Sequence, residues 1–219
     1  MKRLFMVALL CITTSAAWTQ NNDQSLLKKL LGNEATNGTL QNILEDVVGG
    51  AVSELNLAID GTWTYQEPQV QFKSDDLLSK AGGAASTAKI ESVLDKLYGA
   101  IGMNNSLSYT FNSDSTFTQQ IKIGSSVKTL GGTYSLDKGN KIITLKYSAF
   151  GKVTIGKINA IYANTGVSLT LLFDATELLD LSKKLLNAAS SIAGKSSMAA
   201  ITKVVDNYDG VLLGYKMQK

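Results

Sequence analysis

Any chemistry in this chain falls to hydroxyls, carboxylates and amines. The 219 residues contain no histidine, and the one cysteine, Cys11, lies in an apolar run near the N-terminus. Past that run, a thiolate or imidazole metal site, a cysteine nucleophile, a Ser-His-Asp triad and a structural disulfide are all closed. Three Ser-x-x-Lys spacings occur, Ser25 to Lys28, Ser86 to Lys89 and Ser125 to Lys128. In serine acyl enzymes this spacing sets a lysine base one helical turn from the nucleophile. Here the accompanying motifs are missing and the third pair falls in a hairpin turn, so chance is the better account. The paired acids Asp75-Asp76 read as the start of a helix, and Asp137 to Asn140 and Asp174 to Glu177 lack the alternating oxygen ligands of a calcium loop. Gly82-Gly83 and Gly131-Gly132 match no phosphate-binding spacing and are read as sites of close packing. No catalytic residue, metal or cofactor is expected.

The richer set is aromatic. Trp63, Tyr65, Tyr109, Phe111, Phe117, Tyr134, Tyr147, Phe173 and Tyr215 all fall on one parity of strand-like runs. Residues at alternate positions of a strand share a face, so these side chains point to a common interior. A barrel of about eight strands either fills that interior with side chains or holds one small ligand. Trp63, Tyr65, Phe111, Phe117, Gln119, Tyr134, Phe173 and Tyr215 are the candidate ligand-binding residues. Gln119 stands out because it shares the inward parity of Phe117 and Ile121, where a buried amide needs a partner or a ligand.

The elements that must position them follow from periodicity. Thr39 to about Leu57 is expected to be an amphipathic helix, with Leu40, Ile43, Leu44, Val47, Ala51 and Leu55 on one face. It would cover the barrel or bind a partner. The first strand begins at Gly61; Pro68 is expected to break its ladder, with Val70 and Phe72 resuming in shifted phase. Ser74 reads as an N-cap, and the helical stretch of about 75–101 is interrupted at Gly82-Gly83. Inward rows then recur: Leu107, Tyr109 and Phe111; Phe117, Ile121 and Ile123; Leu130, Gly132, Tyr134 and Leu136; Ile143, Leu145 and Tyr147. From Lys152 to Ala163 the apolar phase switches at Gly156, as a bulge would produce, and Val167, Leu169, Leu171 and Phe173 form the following row. Asp174 caps a helical region of about 174–208, and Val211 to Met217 is a last strand able to pair with the first.

Met1-Lys2-Arg3, the apolar Leu4 to Ile12 and Ser15-Ala16-Ala17 have the order of a cleaved secretory signal, residues 1–17, with the cut as late as residue 20. Cys11 follows Leu10, which is too large for the lipoprotein pattern. The formal charge of +3 falls to +1 with the leader, since 19 basic and 18 acidic side chains remain without Lys2 and Arg3. Such a balance offers no electrostatic case for nucleic acid or for an anionic membrane surface.

Gly61-Thr62-Trp63 resembles the Gly-x-Trp signature of lipocalins and their calycin relatives, in which the tryptophan closes one end of the barrel. A longer set, Gly61 to Tyr65, Phe72 to Leu78, Ala81-Gly82-Gly83, Gly132-Thr133-Tyr134, Leu172-Phe173-Asp174 and Tyr208-Asp209-Gly210, is similar to the lipocalin-like secreted proteins of Bacteroidetes classed as a domain of unknown function. The resemblance spans 58–219. It implies a periplasmic or exported protein and brings no known activity. The helices at 75–101 and 174–208 and the lack of disulfides depart from true lipocalins. The expected fold is mainly β with helical insertions (α+β): an N-terminal helical segment at 18–57, then a lipocalin-like antiparallel up-and-down β-barrel of about eight strands at 58–219. The expected function is binding of a small apolar molecule in or beside the barrel, without catalysis. The alternative is an interaction or structural module with a filled barrel, using the helices at 39–57 and 174–208 as its partner surface.

Overall fold

A computed structural model describes residues 43, 58–100, 106–123, 126–149, 153–188, 199, 202–204 and 206–219. The expected leader and, apart from the buried helical residue Ile43, the expected 39–57 helix lie outside the described residues. So does much of 189–208.

Eight strands form: β1 Gly61–Phe72, β2 Ser108–Phe111, β3 Thr116–Ile123, β4 Ser126–Asp137, β5 Ile142–Ala149, β6 Val153–Asn164, β7 Ser168–Asp174 and β8 Val211–Gln218. Each pairs antiparallel with the next, and β8 pairs with β1 over Val211 to Gln218, so the sheet closes on itself. The helices are α1 Asp75–Ala81 and α2 Ala84–Ala100, between β1 and β2, and α3 Ala175–Ala188, after β7. Both cap assignments hold: Ser74 Oγ accepts from Leu77 N, and Asp174 Oδ1 accepts from Thr176 N and Glu177 N.

Three local expectations need correction. Pro68 does not interrupt β1; it stays in the ladder opposite Tyr215, and the register shift lies between Tyr65 and Glu67, leaving Gln66 as the extra residue. Proline is tolerated there because β2 pairs with β1 only over Gly61 to Thr64, so the missing N–H falls where the strand has one neighbour. Val167 precedes β7 and is 72% exposed, so the inward row starts at Leu169. Gly83 sits in an open turn, where an added Cβ would meet nothing within 4 Å, whereas close packing holds at Gly82, where a Cβ would lie 2.9 Å from Ser86 Oγ. Both have positive φ, and Gly82 ends α1 in the left-handed conformation.

The expected bulge in β6 is present: Tyr147 pairs with Gly156 and Ser148 with Thr154, which leaves Ile155 unpaired. Close packing does explain Gly132, where a Cβ would run into the Lys146 carbonyl and the Phe117 ring. It also explains Gly156, where a Cβ would lie 2.8 Å from Leu181 Cδ1 of α3.

The core is continuous from the barrel into the helices. Ile90, Leu94 and Tyr98, spaced four apart on α2, and Leu179 and Leu181 on α3 belong to the same buried cluster as Trp63, Phe111 and Phe173. Burying each large side chain contributes about 1.5–3 kcal/mol. Beyond Tyr65, where β1 has no strand on its β2 side, α2 packs against it, and Tyr98 meets the Tyr65 ring edge-on with centroids 5.9 Å apart. Ile142, Ile161, Leu172 and Leu212, on the opposite strand parity, are also buried, so β5 to β8 carry apolar residues on both faces.

Candidate functional site

The inward rows set two levels inside the barrel. At one end Trp63 is fully buried. Its Nε1 donates to the Ile59 carbonyl at 2.7 Å, and Lys219 Nζ lies 4.9 Å from the ring centroid. Phe111 and Phe117 pack on each other in the same core, with centroids 6.2 Å apart. Tyr134 belongs to the rim rather than the interior. It is half-buried, its hydroxyl donates to Asn112 O at 2.9 Å with Asp60 Oδ1 at 3.1 Å, and its ring meets Phe111 edge-on. Burial, then the Asp60 carboxylate, push its pKa up to about 12.

In the middle, hydroxyls from opposite walls meet on the axis. Tyr109 of β2 lies 2.7 Å from the Tyr215 hydroxyl of β8 and 3.1 Å from the Tyr147 hydroxyl of β5. Tyr147 in turn donates to Gln119 Oε1 of β3 at 2.9 Å. A phenol has one proton to donate. Because Tyr147 spends its proton on Gln119, Tyr109 donates to Tyr147 and Tyr215 donates to Tyr109, so the chain runs Tyr215, Tyr109, Tyr147, Gln119. The amide flagged by its inward parity thus finds its partner in a tyrosine. Tyr109 was grouped with the aromatics, but its place at the centre of this chain has no sequence signature. Burial holds Tyr109, Tyr147 and Tyr215 neutral well above the ordinary phenol range.

Phe173 packs on Tyr215 with centroids 5.8 Å apart, and Tyr65 joins the same group at 6.4 Å. The Tyr65 hydroxyl is buried without a hydrogen-bond partner, and burial, then Asp95 and Glu67, raise its pKa. Of the eight expected ligand-binding residues, seven line the barrel core and Tyr134 edges it. Ring contacts join Phe111 to Phe117 and Tyr134, and Tyr215 to Tyr65 and Phe173.

Among the described residues two concave sites stand out beside the barrel. One, of about 370 Å³, is an outer recess lined by Thr64, Ser108, Gln120 and Val127. The other is a groove of about 680 Å³. Lys89, Ile90 and Val93 of α2 form one wall; Ala199, Lys203 and Val204 oppose them, with Asn207 and Tyr208 at the end. Val93 is 39% exposed in it. Sequence reading missed this groove, because its walls come from segments about 110 residues apart in the chain. Of the three Ser-x-x-Lys pairs one is described: Ser86 Oγ donates to the Ala81 carbonyl, while Ser25 and Ser125 lie outside the described residues. Among the described residues no cluster of carboxylates could hold a metal ion, and no helix is long and apolar enough to cross a membrane.

Among solved structures, the chain is similar to the crystal structure of a DUF4847 family protein from Bacteroides vulgatus ATCC 8482. Identity is 14%, 73% of this chain and 92% of that chain are covered, and the TM-score is 0.33. No curated protein matches. The family model described as "Lipocalin-like domain (DUF4923)" matches residues 28–219, and the closed eight-strand barrel just described agrees with it: the chain belongs to this lipocalin-like family.

Proposed function

We propose that this is a secreted, non-enzymatic binding protein that takes a small apolar molecule beside its barrel, in the groove between α2 and the helical residues around Val204. The observation that carries this reading is the meeting of Tyr215, Tyr109 and Tyr147 on the axis, where the protein's own side chains occupy the level a lipocalin-type ligand would need. The groove has the volume usual for small-molecule sites and an apolar floor in Ile90, Val93 and Val204. Burial of ligand surface against that floor supplies the affinity. Nile red, a neutral apolar probe, should bind with enhanced emission, and Val93→Asp should weaken it by about tenfold. Tyr109→Phe should leave probe affinity unchanged. Loss of binding in Tyr109→Phe with full binding in Val93→Asp would return the ligand to the barrel.

The order of basic, apolar and small residues over Met1 to Ala17 supports export. Intact-mass measurement on protein from its natural host should place the mature N-terminus at Trp18 or within a few residues. The occupied axis equally favours a second reading, a solid barrel that works through its surface. In that case Nile red stays dark, and concentration-dependent association is lost when residues 18–57 are deleted.

A further inference from the structure

We propose that the groove beside α2 selects a single-chain amphiphile with an anionic head, held by Lys89 and Lys203. The inference rests on the groove reading above and adds the head-group chemistry to it. Lys89 and Lys203 come from opposing walls, and both are exposed. Among the described residues neither has a carboxylate partner. Among the described residues that line the groove none is acidic. The acids of α2 lie toward β1: Glu91, whose pKa is raised by burial and then by Glu67 of that strand, and Asp95, whose charge helps raise the pKa of Tyr65 there. The helix therefore presents its carboxylates to β1 and a lysine to the groove. In a chain whose charges nearly balance, an apolar trough flanked, among the described residues, by two cations and no anion is a local asymmetry. It matches an alkyl chain that ends in a carboxylate, sulfate or phosphate. The chain would lie on Ile90, Val93 and Val204, where the exposed Val93 gains cover, and the head would sit between the two ammonium groups.

The test is calorimetric titration of the full mature chain, below micellar concentrations, with hexadecanoate, hexadecyl sulfate and hexadecanol. Both anions should bind about tenfold more tightly than the alcohol, the preference shrinking as salt rises. In Lys89→Gln/Lys203→Gln the preference should vanish while affinity for the alcohol stays as it was; both substitutions are exposed and leave the fold intact. Equal affinity for anion and alcohol in the unaltered protein would overturn the head-group assignment and leave the apolar groove standing. Failure of all three to bind would remove the groove reading itself. Binding to anionic vesicles without uptake of free hexadecanoate would also overturn the proposal, because the lysines would then face a membrane surface.

Discussion

Removing the one proton of a buried phenol breaks more than one bond when that phenol stands in the middle of a chain. Tyr109 both donates and accepts, so Tyr109→Phe leaves the Tyr215 proton and the Tyr147 lone pairs without their partner in a site closed to water. The expected cost is about 1–3 kcal/mol, read from denaturant unfolding. Tyr134→Phe, at the half-exposed rim, should cost about 0.5–1.5 kcal/mol, since water can replace what is lost. The reverse order would mean that the hydroxyl chain is not formed in solution. The same residues set the alkaline limit. Tyr109, Tyr147 and Tyr215 keep their protons to higher pH folded than unfolded, where the ordinary value is 10.0. The unfolded chain therefore sheds protons first. Stability holds below pH 10 and falls above it, by about 1.4 kcal/mol per pH unit for each such tyrosine. Denaturation series on either side of pH 10 should show this, and Tyr109→Phe/Tyr215→Phe should flatten the slope. A stability curve that stays level well above pH 10 would place these phenols in water.

At the scale of elements, one carboxylate ties three of them together. Asp174 ends β7, caps α3 through Oδ1, and through Oδ2 pairs with Lys73 just past β1 at 2.6 Å, both side chains being 15% exposed. Asp174→Asn keeps a capping oxygen and loses the ion pair, at about 1–2 kcal/mol; Asp174→Ala loses both, at about 2–4 kcal/mol. Equal costs in thermal melts would deny the cap. Elements were legible in the sequence wherever one face is buried and the other wet. Thus Phe117, Gln119 and Ile121 announced β3, and Ile143, Leu145 and Tyr147 announced β5. In β7 the outward Leu172 is as buried as the inward Leu171, so alternation carries little there. Periodicity also reports the face and not the height. Tyr134 has the right parity, yet its level in the barrel is set by the stagger between strands, which no single segment encodes. The bulge was marked by the phase change before Val70, but the proline drew the break two residues too far along.

For the whole molecule, everything inside the barrel depends on the chain's last strand reaching its first. β8 fills the space between β1 and β7, and it contributes Leu213, Tyr215 and Met217 to the core. A chain ending at Gly210 would bare the ladder edges of β1 and β7 at once and leave Tyr109 without the hydroxyl that donates to it. Such a chain should lose its cooperative melt and self-associate, as read by circular dichroism and sedimentation. Because the gap is strand-shaped, with backbone donors and acceptors waiting on both sides, a synthetic peptide of residues 211–219 should restore the monomer and its melting transition. The same peptide with Gly214→Val should fail, since a Cβ at that position would run into the Leu171 carbonyl of the neighbouring strand. A truncated chain that stays monomeric with its melting transition unchanged would mean that β1 to β7 hold the core without closure. The tyrosine chain could not then be what fills the axis.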